Sequence, residues 1–402
     1  VTERPPKLLQ VFNRYLEPGG EESAVRQFAQ ILGPQGNFDE CLFDSAEWKG
    51  PGAPAKWQQI AWMFYNPKSV AKLRLQQNQD KADAWLVHNV FPVGSPSVYR
   101  EALRQRIPII QYIHNFRPFS ITGYLNNAES LQPQRWGRAY LRQVKDGAWQ
   151  GSRLKTLVLG SVLCWMRLRH HYHAVKAWVA ISNFMHDQFI AGGVPKEKVF
   201  RLYHPRVPVN TEANFPEGDY YLFLGRLIED KGIKVLLKCW EILGRRLGQN
   251  CPRLMVAGDG PLSEWVRAAA AANQRVQYCG YVSGDQKHQL LSQCKAVIQP
   301  AIWGEPLSFV IYDAFDYGKP ALVARSGGMP ELVDETSGLI HQPGNAAELA
   351  AQIEEVERRG PDWRRRSGQS GRQWLLANTN VEAWKKQLFE IASYAQRTNS
   401  PN

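Results

Sequence analysis

Short apolar runs, each followed by a stretch of helical spacing, recur along this chain in two separate series. In the first series Leu8–Phe12, Ala84–His88 (AWLVH), Ile107–Ile113 (IPIIQYI) and Ala177–Ile181 (AWVAI) read as strands. Helical spacing predicts helices over Glu21–Leu32, Ser95–Gln105 and Asn183–Ala191. The second series places strands at Tyr220–Gly225, Leu254–Gly258, Val276–Gly280, Ala296–Pro300 and Pro320–Ala324, with helices in the intervals. Unbroken apolar runs, rather than alternating ones, suit strands covered on both faces, and strand–helix alternation builds parallel sheets. Between the series lies His204–Gly218 (HPRVPVNTEANFPEG), with three prolines and little apolar content. The expected organisation is an αβ domain over 1–203, a linker over 204–218 and a second αβ domain over 219–380. A last helix, Val381–Tyr394 within 381–402, is expected to pack back on the first domain. The predicted fold class is α/β, with two Rossmann-like domains facing a central cleft, where such sheets bind ligands beyond their strand ends.

Residues 117–176 interrupt this rhythm. They show no clear strand, and Ser152 is placed to cap a helix from Arg153 to about Tyr172. Charge concentrates here. Residues 1–203 carry 26 Lys and Arg against 15 Asp and Glu, whereas residues 204–402 carry 23 against 22. Within 135–176 stand nine cations (Arg135, Arg138, Arg142, Lys145, Arg153, Lys155, Arg167, Arg169, Lys176) and one anion, Asp146. Beside them runs Leu157–Met166, about half the ~20 apolar residues that a spanning helix needs. The pattern fits an insertion lying on the sheet or on an anionic lipid surface. No RNA-binding aromatic signature or recognition-helix motif accompanies the charge, so nucleic acid is not an expected partner. The six cysteines form no C-x-x-C pair and no zinc spacing with histidine, so reduced thiols and a cytoplasmic setting are expected, with no signal peptide.

Four stretches carry candidate chemistry. In QPAIWGEPLSFVIYDAFDYGKPALVARSGGMPE, a strand ends at Pro300 and a loop brings Glu305. Pro306 suits the first position of a helix, and that helix is predicted to run to about Tyr317 with Gly318 as its stop. Its first N–H groups would favour an anion. Asp313 follows Glu305 by eight residues, about 12 Å along a helix. Carboxylates so far apart cannot share a proton or a metal, but suit two hydroxyl-bearing parts of one long ligand. A nucleotide sugar has that shape. In LGRLIEDKG, Arg226 and Lys231 sit in a strand-end loop, where a guanidinium fork and a point charge can neutralise a diphosphate. His114, in QYIHNFR, stands just past a buried strand. Gly19-Gly20 precedes the first helix and permits close backbone approach. Gly258-Asp259-Gly260 reads as a tight strand-to-helix turn without the further residues of a dinucleotide fingerprint.

Taken in order, Gly19-Gly20, HNVFPVGSPSVY, QYIHNFR, Arg226 with Lys231-Gly232, AGDGP (Ala257–Pro261), Gly280-Tyr281-Val282, the acidic pair Glu305 and Asp313, and Gly327-Gly328 with Glu331 resemble the retaining GT-B glycosyltransferases of family four. The resemblance implies a nucleoside-diphosphate sugar as donor substrate, a saccharide or lipid-linked acceptor, and no metal or other cofactor. It implies that Arg226 and Lys231 hold the donor diphosphate, with Gly19 and Gly20 approaching it. Glu305 would contact the transferred sugar, with the backbone of Leu307 and Ser308 near sugar and phosphate. His114 would lie by the anomeric centre, Asp313 would take the ribose hydroxyls, and Tyr281 and Val282 would border the base. The family usually has Glu where this chain has Asp313, and often Phe-Gly where it has Leu307-Ser308. Competing readings are a nucleotide-sugar epimerase of the same fold, a phosphorylase, and a non-catalytic basic module for lipid or nucleic acid.

Overall fold

The computed structural model describes residues 4–16, 19–125, 136–209 and 218–399, with residues 136–138 described as helical backbone only. Arg135, the Arg138 side chain and residues 210–217 of the expected linker lie outside this description. The chain forms two compact units. One holds the described residues up to Tyr124, those from 136 to His204 and the chain from Val381; the other holds Leu125 and Pro205–Asn380. The crossing thus falls between His204 and Pro205, and His204 belongs to the first unit.

The first unit is built on a parallel six-stranded sheet of β1 (Leu8–Arg14), β2 (Phe38–Asp44), β3 (Ala84–Val87), β4 (Ile109–Ile113), β5 (Val175–Ala180) and β6 (Val199–Arg201), in the order β2-β1-β3-β4-β5-β6. Its helices are α1 (Gly20–Leu32), α2 (Lys56–Phe64), α3 (Pro67–Asp80), α4 (Ser97–Gln105), α5 (Trp136–Lys145), α6 (Arg153–Leu168) and α7 (Asn183–Ala191). Among its described residues the insertion holds two α-helices, α5 and α6. Ser152 caps α6 through the Lys155 N–H. The helix stops at Leu168 rather than Tyr172, because His170 takes a left-handed conformation that no helix can continue. One face of α6 is buried through Leu159, Val162, Leu163 and Met166, and its other face carries exposed Leu154, Leu157 and Leu168.

The second unit repeats the plan. β7 (Tyr220–Leu224), β8 (Arg253–Ala257), β9 (Val276–Gly280), β10 (Val297–Gln299), β11 (Ala321–Ala324) and β12 (Gly338–His341) pair in parallel in the order β12-β11-β10-β7-β8-β9. Helices α8 (Ile233–Leu247), α9 (Ser263–Ala272), α10 (Gly284–Gln293), α11 (Phe309–Asp316) and α12 (Ala346–Asn378) cover it. The α8 face of the sheet buries Tyr221, Phe223, Trp240, Leu243 and Ile298 in one core. Helix α12 breaks at Gly360, whose φ of 76° is non-helical, and restarts on Pro361. Finally α13 (Val381–Arg397) returns to the first unit. There Trp384, Leu388 and Ala392 are buried, and the Trp384 indole donates to the Tyr112 hydroxyl at 3.3 Å.

Candidate functional site: polar clusters at the strand ends of each unit

In the second unit the loops after β7 and β10 come together. Lys231 ends a single 3-10 turn, Glu229–Lys231, and Glu305 stands in the loop beyond β10. The Lys231 ammonium donates to the Glu305 carboxylate at 2.6 Å, and both side chains are largely buried. Lys231 also lies 5.6 Å from the centre of the Trp303 ring, a distance at which a cation is attracted to the ring face. Two glycines make this geometry possible. A Cβ on Gly232 would stand 1.9 Å from the Pro300 carbonyl oxygen, and one on Gly327 would stand 2.0 Å from that of Glu305. Both residues have positive φ, near 74° and 59°. The Gly328 N–H donates to the Glu305 carbonyl at 2.8 Å, and the Ile302 N–H donates to the Asp230 carbonyl at 2.9 Å. The spaced glycines of the motif are therefore the bed on which the Glu305 loop rests. Gly327→Ala is expected to lower stability by about 1–3 kcal/mol through backbone strain and to displace the Glu305 loop. Urea unfolding of the variant checks this, and an unchanged midpoint would contradict it.

The helix expected from Pro306 starts later, at Phe309, with Ser308 as its N-cap residue. Residues 305–308 are loop, because the Glu305 backbone is held against Gly327-Gly328 and cannot wind. The 12 Å helical rise between Glu305 and Asp313 therefore does not apply. Leu307 and Ser308 are both buried beside the loop.

Asp313 is not an open carboxylate. It accepts from Arg206 at 2.9 Å and from Lys287 at 2.7 Å, while Arg206 also donates to Asp316 at 3.1 Å. Arg372 holds Asp316 from another side. Arg206 and Lys287 escape a reading by motif, since the first lies 107 residues from Asp313 in sequence. Arg226 follows β7 and is exposed. Tyr281 is 75% exposed, whereas the neighbouring Val282 points into the core formed with Leu222, Leu224 and Leu290. Gly258-Asp259-Gly260 is the β8–α9 turn, its Asp259 accepting from the Gly260 N–H and the Ser263 hydroxyl.

In the first unit two His-Asn pairs follow adjacent strands: His88-Asn89 after β3 and His114-Asn115 after β4. Gly19 is the N-cap residue of α1, with open space where a Cβ would stand. Glu21, in the first turn of α1, accepts from the Tyr15 hydroxyl at 2.5 Å, the Asn89 N–H at 3.0 Å and the Asn115 side chain at 3.0 Å. One carboxylate thus ties the loop after β1, which carries Gly19, to the loops after β3 and β4. Burial pushes its pKa up, against those hydrogen bonds. Sequence reasoning missed Glu21; the doubled His-Asn pattern is the signal that points to this cluster. His114 stacks on His204 at 5.0 Å between ring centres, with Tyr112 and His88 beside it. Burial lowers the His114 pKa to about 3, so the ring is neutral at physiological pH and cannot serve there as a proton donor of the imidazolium type. Among the described residues, no three His, Cys, Asp or Glu side chains converge as a metal site.

Residues 210–374 match the family profile of glycosyl transferases group 1. The matched stretch lies within the second unit. Curated relatives of this group 1 domain include the uncharacterized glycosyltransferase YqgM of Bacillus subtilis, 29% identical over 206 residues, which are 50% of this chain and 56% of YqgM. The uncharacterized glycosyltransferase MJ1607 of Methanocaldococcus jannaschii is 25% identical over 42% of this chain and 41% of its own length. The matched stretches thus span about half of these relatives or less. The fold extends over the whole chain. Anabaena Alr3699/HepE, solved in complex with UDP and glucose, superposes with a TM-score of 0.63 at 16% identity, covering 96% of this chain and 99% of its own. The lipopolysaccharide outer core galactosyltransferase WaaB superposes with a TM-score of 0.65 at 14% identity, over 97% and 99%. The architecture is that of the GT-B glycosyltransferases, as the two parallel sheets predict.

Proposed function

We propose that this protein transfers a sugar, with retention of anomeric configuration, from a nucleoside-diphosphate sugar to a saccharide or lipid-linked acceptor. The observation that carries the reading is the buried Lys231–Glu305 pair, seated on the glycines of the group 1 domain. Charge grows on the diphosphate as the glycosidic bond breaks. Lys231 and Arg226 would balance it, and fixed groups do so without reorganising. The reading needs no metal, since these cations supply the countercharge. Glu305 would release Lys231 to the diphosphate and accept from sugar hydroxyls. Tyr281 offers an exposed ring to the base, and Asp313, shared with Arg206 and Lys287, would meet the ribose hydroxyls. Gly19 and Gly20 would face phosphate, and His114 would take a hydroxyl of the sugar. UDP-sugars are the first donors to test, because Alr3699/HepE was solved with UDP. The test measures release of nucleoside diphosphate from a donor panel, with the sugar traced into acceptor. Transfer to an acceptor supports the reading; free epimerised sugar would convert it to epimerase, and no turnover of any donor would end it.

A second reading concerns the basic insertion. Leu141, Leu154 and Leu168 are 73%, 64% and 77% exposed, among exposed Lys145, Arg153, Lys155 and Arg169. Leucines left in water amid cations suit an anionic bilayer, to which each Lys or Arg contributes about 1 kcal/mol near the surface. Among the described residues no helix is long and apolar enough to cross a membrane, so contact would be peripheral, and a cytoplasmic face is the proposed setting. Flotation with vesicles tests it. Binding is expected to require anionic lipid, to weaken with salt and to fall when Lys145, Arg153 and Lys155 become Glu; equal binding to neutral vesicles, or none, would refute it.

A further inference from the structure

The direction of each hydrogen bond running inward from β2 follows from the chemistry of its partners. The Gln10 amide nitrogen lies 2.8 Å from the Glu40 carboxylate and 3.2 Å from the Val25 carbonyl. Both are acceptors, so the Gln10 amide must turn its NH2 toward them and its oxygen the other way. That oxygen lies 3.2 Å from His88 Nε2, which must therefore carry a hydrogen. His88 is 1% exposed, and burial first, with His114 and His204 beside it, pushes its pKa well below the usual value. A neutral ring protonated on Nε2 has a bare Nδ1. His88 Nδ1 lies 2.8 Å from His114 Nε2, so His114 donates there and holds its own hydrogen on Nε2. His114 is neutral too, which leaves its Nδ1 a lone-pair acceptor. That atom is shut from solvent and meets no hydrogen-bond partner among the described residues. Arg117 Nε is a buried donor in the same situation, and both residues line one pocket of the first unit. An acceptor and a donor left over in one pocket are the complement of a hydroxyl group.

From this wiring we infer that Gln10 and His88 are positioning residues: they lock His114 in its Nε2–H form, so that Nδ1 stands as a fixed acceptor for a substrate hydroxyl. The locking rests on the hydrogen-bond directions alone. The substrate part rests on the glycosyl-transfer reading above. Fixing a tautomer in this way has catalytic weight, since a histidine in the wrong tautomer turns its donor where an acceptor is needed. Neither residue would touch the substrate. Glu40, exposed at the outer end, anchors the chain of bonds without entering the pocket.

The test uses the full chain with 15N-labelled histidine, His114 being assigned by the signal lost in His114→Gln. Long-range proton–nitrogen spectra at pH 7 report which ring nitrogen is bare. A bare Nδ1 and a protonated Nε2 at His114 are expected; a proton on Nδ1 would overturn the inference with no variant needed. His88→Leu removes the acceptor that holds the Nε2 hydrogen. It is expected to give a mixture of His114 tautomers and to lower kcat on the order of tenfold, one lost hydrogen bond's worth, with the donor KM little changed. His88→Gln can accept and donate along the same line, and is expected to recover most of that loss and the single tautomer. Should His88→Leu fail to fold, His88→Gln and the wild-type spectrum still decide. An unchanged His114 tautomer in a folded His88→Leu, or a His88→Gln no better than Leu, refutes the positioning role. A wild-type protein with no transferase activity but a bare His114 Nδ1 would overturn the glycosyl-transfer reading and leave the locking intact.

Discussion

Replacing Lys231 with alanine is expected to lower turnover by about 10²–10³-fold, the usual loss when one fixed donor to developing charge is removed. The structure adds a second consequence. Lys231 is held against Glu305 at 2.6 Å with both side chains largely out of water. Removing the ammonium leaves a buried carboxylate without its counter-ion, a loss that typically costs about 3–5 kcal/mol. The variant is therefore expected to be both slow and less stable, and Lys231→Ala with Glu305→Gln is expected to recover stability but not turnover. Steady-state kinetics with urea unfolding on the same samples separate the two effects. Near-normal turnover in Lys231→Ala would remove the diphosphate role. Asp313→Ala offers the contrast. Arg206 and Lys287 lose a shared partner there, so stability and donor KM are expected to suffer more than kcat, since the ribose carries no charge that changes in the reaction.

Acid is expected to unfold the first unit unusually steeply. His88, His114 and His204 are packed together, and burial drives all three pKa values down, that of His114 to about 3. In the unfolded chain each returns to about 6.5. Between those values the unfolded state binds more protons, so stability rises with pH there and is lost as pH falls below about 6.5. Each ring held neutral contributes about 1.4 kcal/mol per pH unit in that window, so three give about 4. Glu21 works in the opposite sense, because its raised pKa lets the folded state keep a proton that the unfolded chain has lost, and it offsets part of the slope. Unfolding free energies measured in urea from pH 4.5 to 7 check this. A flat profile would show that these rings take up protons in place. His204→Phe keeps a stacked ring without titration and is expected to remove about a third of the slope.

Much of the fold was legible because buried parallel strands announce themselves as apolar runs, and AWLVH, IPIIQYI and AWVAI each fell on a strand. β2 was missed because it reads FDECLFD, its Asp39, Glu40 and Asp44 breaking the run, as befits an edge strand that must deter pairing. β12 is only GLIH, too short to register. The polar helix α3 was passed over although Asn66 and Pro67 are a cap and a first-turn proline. The site was legible as types of residue. Lys231 and Glu305 each stood out, but their pairing spans 74 positions and only the glycine contacts reveal why the loops meet. Asp313 read as an open carboxylate because nothing local signals Arg206 or Lys287. His114 stood out as a candidate, while Gln10, 104 residues earlier, looks like an ordinary strand residue, and His88, 26 residues earlier, was legible only as the start of HNVFPVGSPSVY and not as the partner that sets the His114 hydrogen.

The first unit is discontinuous, since α13 completes it after the whole second unit has intervened. During synthesis domains generally fold as units, in the order in which they emerge. Here the residues of the first unit that precede Pro205 leave the ribosome before the second unit does and are completed after it. Until Val381–Arg397 arrives, the seat of Trp384 against Phe28 and Tyr112 stands uncovered. The second unit, continuous from Pro205 to Asn380, has all its strands in hand earlier. A chain cut short before Val381 would therefore carry a complete second unit beside a first unit that lacks its last helix, with aromatic surface open to chaperones and to other nascent chains.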